Sequence, residues 1–221
     1  MKKFILMAAV AVMGMSVNAQ ETRFGVKGGY TMSTLKIEDN AGSIGTDPLH
    51  SFYVGGLVEH KISDKFGLQG EVLYSQLGGK INLITEDSEE TGAFLNVQAK
   101  RTFQTVQIPI SAKYFITEGL SISAGANFGL ILSAKEKSSL DFGLGIPGLE
   151  LNGDDERDVK DDVSTLNLAP FIGAEFMLEN GFFFDARYNL GVSNLDKNPE
   201  NGSKVTNSFL QVGVGFKFGS N

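Results

Sequence analysis

Few residues in this chain could carry covalent chemistry. There are two histidines, His50 and His60, and no cysteine. The absence of Cys removes disulfides, thiolate metal sites and Cys nucleophiles together. A Ser–His–acid hydrolase needs a histidine within reach of an activated serine. His50 and Ser51 are adjacent in sequence, but neighbouring residues of a strand point to opposite faces. The run Gly143-Leu144-Gly145-Ile146-Pro147-Gly148 spells the dinucleotide pattern G-x-G-x-x-G. That chemistry requires a parallel strand before the glycines and a helix after them. Here Pro147 sits inside the motif and no helical periodicity follows, so it reads as a flexible loop tip. Asn152-Gly153-Asp154-Asp155-Glu156-Arg157-Asp158, Asp161-Asp162 and Glu86-Asp87-Ser88-Glu89-Glu90 are acidic runs. Carboxylates suit Ca²⁺, but the EF-hand spacing is missing, and solvated loops are the reading for both. No catalytic, cofactor-binding or metal site is therefore assigned, and no enzymatic activity is expected.

Eight other charges form a pattern. Lys27, Glu59, Glu71, Lys113, Glu175, Asp185, Arg187 and Lys217 all occupy odd positions, four of each sign. They lie in segments whose apolar residues are even-numbered, as in Val106, Ile108, Ile110, Ala112 and Tyr114. Period two means strands with one apolar and one polar face. A polar face bearing charges opposite an apolar face of large residues is the inside-out pattern of a transmembrane barrel. The odd face then points inward, with Thr31, Gln69, Ser75, Gln107, Ser121, Ser123, Asn127, Asn167, Asn189 and Gln211 beside the charges. An eight-stranded barrel is just wide enough for its own side chains. Unpaired charge there is costly, so a balanced set with bulky Tyr53, Phe115 and Phe171 predicts paired ions that plug the barrel.

The predicted strands are 24–34, 51–62, 66–77, 103–115, 120–134, 165–178, 182–194 and 208–218. Ser63-Asp64-Lys65, Thr117-Glu118-Gly119 and Glu179-Asn180-Gly181 are tight turns. Residues 35–50, 78–102, 135–164 and 195–207 form long polar connections between them. The expectation is an all-β, eight-stranded antiparallel up-and-down transmembrane β-barrel, short turns periplasmic and long loops extracellular. Its even strand count returns both ends to the periplasmic side. Outward aromatics fall in two belts: Phe24, Phe66, Tyr114, Phe176, Phe184, Phe216 and Phe218 near the short turns, and Tyr30, Phe52, Tyr74, Phe128 and Tyr188 near the long loops.

Lys2 and Lys3 precede an apolar run from Phe4 to Met15, then Ser16-Val17-Asn18-Ala19. A basic n-region, an apolar h-region and small residues before a cut predict a cleaved signal peptide, residues 1–19, ahead of a barrel domain, 20–221. The run is shorter than the roughly 20 apolar residues a spanning helix needs. With 26 Asp and Glu against 19 Lys and Arg, and a net charge of −7, the chain lacks the basic stripe that nucleic acid requires.

Gln107-Ile108-Pro109-Ile110-Ser111-Ala112-Lys113-Tyr114-Phe115, Ala124-Gly125-Ala126-Asn127-Phe128-Gly129 with Leu132-Ser133-Ala134-Lys135, and Tyr188-Asn189-Leu190-Gly191-Val192-Ser193-Asn194-Leu195 carry a family likeness. So does Leu68-Gln69-Gly70-Glu71-Val72-Leu73-Tyr74-Ser75-Gln76. Together they resemble the PorT-like outer-membrane β-barrel family of Bacteroidota. The resemblance implies an eight-stranded outer-membrane barrel, carries no catalytic residue, and through the family's namesake points towards secretion.

The partners expected of such a chain are outer-membrane lipid and lipopolysaccharide, the outer-membrane assembly machinery, and a protein met through the long loops. Phe218, near the end of the last strand, resembles the signal that assembly machinery reads. Three functional classes follow. The first is a plugged structural or interaction barrel, with a role accessory to secretion. The second is a small solute channel lined by the same charges. The third, an outer-leaflet hydrolase, would rest on His50.

Overall fold

The computed structural model describes residues 22–40, 42–85, 93–144, 150–199 and 202–219. Residues 1–19, the expected signal peptide, the acidic run 86–90 and residues 145–148 of the glycine motif lie outside them. Among the described residues, ten strands form one antiparallel sheet: β1 (Thr22–Asp39), β2 (Gly42–Gly45), β3 (Asp47–Lys61), β4 (Phe66–Thr85), β5 (Ala93–Phe115), β6 (Leu120–Leu144), β7 (Glu150–Asp158), β8 (Leu166–Met177), β9 (Phe182–Asn189) and β10 (Lys204–Phe218). The sheet closes because β1 pairs with β3 on one side and with β10 on the other, from Phe24↔Phe218 to Glu38↔Lys204. Around the ring the order is β1, β3, β4, β5, β6, β8, β9, β10. The wall therefore has the eight strands expected, and β2 and β7 are short additions paired only to β1 and β6.

The short turns close as their residues dictate. Ser63 Oγ accepts from the Phe66 amide at 3.2 Å, and Thr117 Oγ1 accepts from the Leu120 amide at 2.9 Å. Asn180 Oδ1 accepts from the Phe182 amide at 3.2 Å, beside Gly181 at φ 89°. These are side-chain-to-backbone turn bonds, with glycine where φ is positive.

Within the wall the parity holds. Val26, Val54, Val72, Ile110, Ile122, Ile172, Val212 and Val214 are exposed, as a lipid-facing band must be, while the odd positions are buried. One bulge resets the rule. Gln104 pairs with Ser133 but Thr105 pairs with Ile131, leaving Leu132 as an extra residue. Beyond it the even residues of β6 face inward, so Ala134 is fully buried and Leu132 is exposed.

The strand ends need correction. Most of the expected loops 35–50, 78–102 and 135–164 are sheet: β4, β5 and β6 run for 20, 23 and 25 residues. The acidic run 152–158 is in strand β7, and Gly143 ends the antiparallel β6–β7 ladder opposite Glu150. The prediction stopped where apolar alternation stopped. Above the membrane the outward face turns polar, with Lys80, Asn82, Gln98, Lys100 and Lys137, and backbone pairing continues without the lipid-facing signal. In the opposite sense, β9 ends at Asn189 and not at 194. At Gly191 a Cβ would lie 2.2 Å from the Asn207 carbonyl oxygen. The chain then turns so that Leu195 can cap the ring.

Candidate functional site

The interior is the place where this sequence concentrates charge. Seven of the eight wall strands contribute: Lys27 from β1, Glu59 from β3, Glu71 from β4, Lys113 from β5, Glu175 from β8, Asp185 and Arg187 from β9, and Lys217 from β10. Inward parity puts all eight side chains inside the ring, each no more than 9% exposed.

They gather into two closed rings of alternating sign. In the one nearer the short turns, Lys113 Nζ lies 2.5 Å from Glu59 Oε2 and 2.8 Å from Glu175 Oε1. Lys217 Nζ lies 2.7 Å and 2.6 Å from the same two oxygens. In the second ring, Arg187 Nη2 lies 2.6 Å from Glu71 Oε1 and 3.4 Å from Asp185 Oδ2. Lys27 Nζ lies 2.7 Å from Asp185 Oδ2 and 3.4 Å from Glu71 Oε2. Gln69 joins the rings: its Nε2 donates to Glu71 at 2.6 Å and its Oε1 accepts from Lys113 at 3.2 Å. Tyr53 adds a hydroxyl that donates to Asp185 Oδ1 at 3.3 Å.

Every one of the four cations also stands over an aromatic ring. Lys27 is 5.5 Å from Tyr53, Lys113 5.6 Å from Phe115, Arg187 5.0 Å from Phe171, and Lys217 4.8 Å from Phe183. Each desolvated cation thus has two carboxylates and a π-face, which is how a dry interior offsets the loss of water. Arg187 Nη1 and Glu59 Oε1 make no hydrogen bond among the described residues. Phe183, on the odd face of β9, is an inward group beyond Tyr53, Phe115 and Phe171; its position number alone identifies it.

Above the ion rings lies a neutral layer. Gln107 donates to Ser75 at 2.6 Å and accepts from Asn127 at 3.0 Å and from Gln211 at 3.4 Å. Asn127 reaches Asn189 at 3.3 Å. Higher still, Leu35, Leu77, Phe103, Ile131 and Phe209 form an apolar cluster with Val159, Val163 and Leu195. The last three come from connections outside the wall. A 3-10 turn at Lys160–Asp162 carries the two valines over the ring, held by Val159 N–H to Ala134 O at 2.9 Å. Leu195 N–H to Val205 O at 2.7 Å holds the other. This apolar cap was not anticipated; isolated Val159, Val163 and Leu195 within polar segments were its signal.

The histidines stand apart from this. His50 is outward and contacts the Tyr30 hydroxyl, whereas Ser51 is buried and donates to the Gln76 carbonyl at 2.5 Å. His60 Nδ1 shares a hydrogen with Thr22 Oγ1 at 2.9 Å. Among the described residues no three His, Asp or Glu converge in a metal-binding group.

At the long-hairpin end, Glu156 on β7 lies 2.8 Å from Lys135 and 2.5 Å from Lys137. Hydrogen bonds from these two lysines bring its carboxyl down to about 2. Glu136 loses water to burial, which raises its pKa, but hydrogen bonds from Arg101 and Arg157 outweigh that and lower it.

Solved structures are similar to this chain at low identity. The attachment invasion locus protein Ail of Yersinia pestis is 17% identical over 90% of this chain and 99% of its own, with a TM-score of 0.46. OprG, an outer membrane protein of Pseudomonas aeruginosa, is 12% identical over 92% and 99%, at 0.38. Neisserial surface protein A is 18% identical over 88% and 97%, at 0.36. No curated protein matches the sequence. A family model does match, over residues 18–197. The chain belongs to the outer membrane protein β-barrel domain family, and the outer membrane is its location.

Proposed function

We propose that this protein is a closed outer-membrane anchor that acts as a structural or interaction protein through its extracellular hairpins. The resemblance to PorT-like barrels supports a role accessory to secretion. The observation that carries the reading is the filling of the ring at three successive levels. Two neutralised ion rings lie lowest, an amide layer follows, and an apolar cap closes the long-hairpin end. A conducting pore needs a continuous wet path, and the apolar cap interrupts one. Export by a signal peptide cut after Ala19, and assembly through Phe218, belong to the same proposal.

Planar bilayer recordings with purified protein test it. The expected result is no reproducible conductance step, and stable steps would establish the solute channel instead. The partner is sought by photo-crosslinking from intact cells at Asp154 and Asp155, on the exposed edge strand of the β6–β7 hairpin. N-terminal sequencing of the mature protein tests the cut at Ala19.

A further inference from the structure

Where β4, β5, β6 and β7 rise above the ring, the two faces of the sheet treat charge in opposite ways. On the inward face Arg101, Glu136 and Arg157 stand side by side on β5, β6 and β7. Their signs alternate, with contacts of 2.5 Å and 2.7 Å to Glu136. On the outward face Lys80, Lys100 and Lys137 stand directly opposite one another across β4, β5 and β6. Like charges in that position destabilise a sheet. Lys137 has Glu156 at 2.5 Å, but Lys80 and Lys100 make no ion pair among the described residues. Asp47, across from Lys80 on β3, instead accepts from Asn82 at 2.9 Å. In a chain of net charge −7, Lys80 and Lys100 are thus two neighbouring cations without an ion pair among the described residues.

The same face is hollow. An open depression of about 690 Å³ is lined by Lys80, Lys100, Lys137, Asn82, Gln98 and Ser139, with Asp154, Asp155 and Glu156 along its β7 side. That is space for a phosphate on a sugar, with amide and hydroxyl groups beside the lysines.

Position selects the ligand. Lys80 continues the outward series of β4 above Tyr74, and Lys137 lies beyond the exposed Leu132 on β6. At roughly 3.3 Å per residue and a tilt near 40°, the row is about 12–15 Å above the apolar edge. Lysine stems reach back towards the headgroups, whose zone is about 5–8 Å deep in each leaflet. We infer that Lys80, Lys100 and Lys137 form a binding site for the phosphate of a phosphorylated glycolipid headgroup in the outer leaflet. The acidic rim on β7 bounds the site and orients the headgroup towards β4 and β5. This site is independent of whether the ring conducts.

Native mass spectrometry of the refolded barrel tests the inference, using phosphorylated lipid A, its dephosphorylated form and inorganic phosphate. Wild-type protein should retain the phosphorylated lipid. Retention should fall about five-fold for Lys80→Gln and about thirty-fold for the K80Q/K100Q pair. The K80R/K100R pair should retain it, and Lys65→Gln, at the opposite end, should match wild type. Cold-gel mobility checks that each variant is folded. Equal retention by K80Q/K100Q, or equal retention of the dephosphorylated lipid, would overturn the inference. So would displacement of the lipid by an equal concentration of inorganic phosphate, which would mark a generic anion site.

Discussion

Replacing Arg187 by Met keeps a long apolar stem but removes the guanidinium that lies 2.6 Å from Glu71 and 3.4 Å from Asp185. Two carboxylates then share one cation, Lys27, which is 2.7 Å from Asp185 and 3.4 Å from Glu71. Asp185 keeps its lysine and the Tyr53 hydroxyl, so Glu71, left with Gln69 and a distant lysine, carries most of the penalty. Breaking one partner of a buried pair costs about 3–5 kcal/mol. Loss of the stacking on Phe171, 5.0 Å away, adds about 0.5–2 kcal/mol. With a urea slope of about 1–3 kcal/mol/M, the midpoint should fall by at least roughly 1 M. Glu71→Gln in the same background restores one cation to one carboxylate, and the double variant should cost about 1–3 kcal/mol less than the two singles summed. Lys160→Ala, on an exposed turn, should shift nothing beyond about 0.5 kcal/mol. The assay is urea titration in lipid vesicles, followed by cold-gel mobility and far-UV circular dichroism because the chain has no Trp. An unchanged midpoint in Arg187→Met, or strictly additive losses in the double variant, would refute the reasoning: the charges would then be hydrated and independent.

Arginine at Ile110 or Val212, both lipid-facing, should cost about 2–4 kcal/mol if placed near mid-bilayer. Arginine at Gln107 should instead disturb the amide layer, and vesicle folding titrations that give equal, depth-independent penalties on both faces would reject the facing. Gly55→Ala should fold poorly on cold gels, because its Cβ would lie 2.0 Å from the Val72 carbonyl oxygen and 2.7 Å from the Leu73 Cα, backbone atoms that cannot move away independently. For the β6–β7 hairpin, Glu156 has a folded pKa lowered to about 2. Its pairing with Lys135 and Lys137 should be complete above the unfolded value of about 4.3, decline below it, and vanish below about 2. Amide exchange at residues 153–158 should follow that window, and protection that is flat from pH 6 to pH 2 would show that the pairing contributes nothing.

The sequence alone determined the wall. Eight alternating segments, three short turns and the shared parity of the eight charges within the wall were legible because one face of each strand meets lipid and the other does not. The stretch from Tyr74 to Lys80 shows where this stops: once the outward face leaves lipid, strand and loop look alike, and the extensions of β4, β5 and β6, with β7, passed for polar loops. Pairing was also beyond reach. Lys113 meets Glu59 and Glu175 across separations of 54 and 62 residues. Lys80, Lys100 and Lys137 form a row only after two ladders have been registered. Parity says which face a side chain is on, but the stagger between strands says at what height, and that is a property of the closed ring. The apolar cap is tertiary in the same sense. Val159, Val163 and Leu195 belong to connections, and only the ring beneath them supplies an apolar surface on which they can bury.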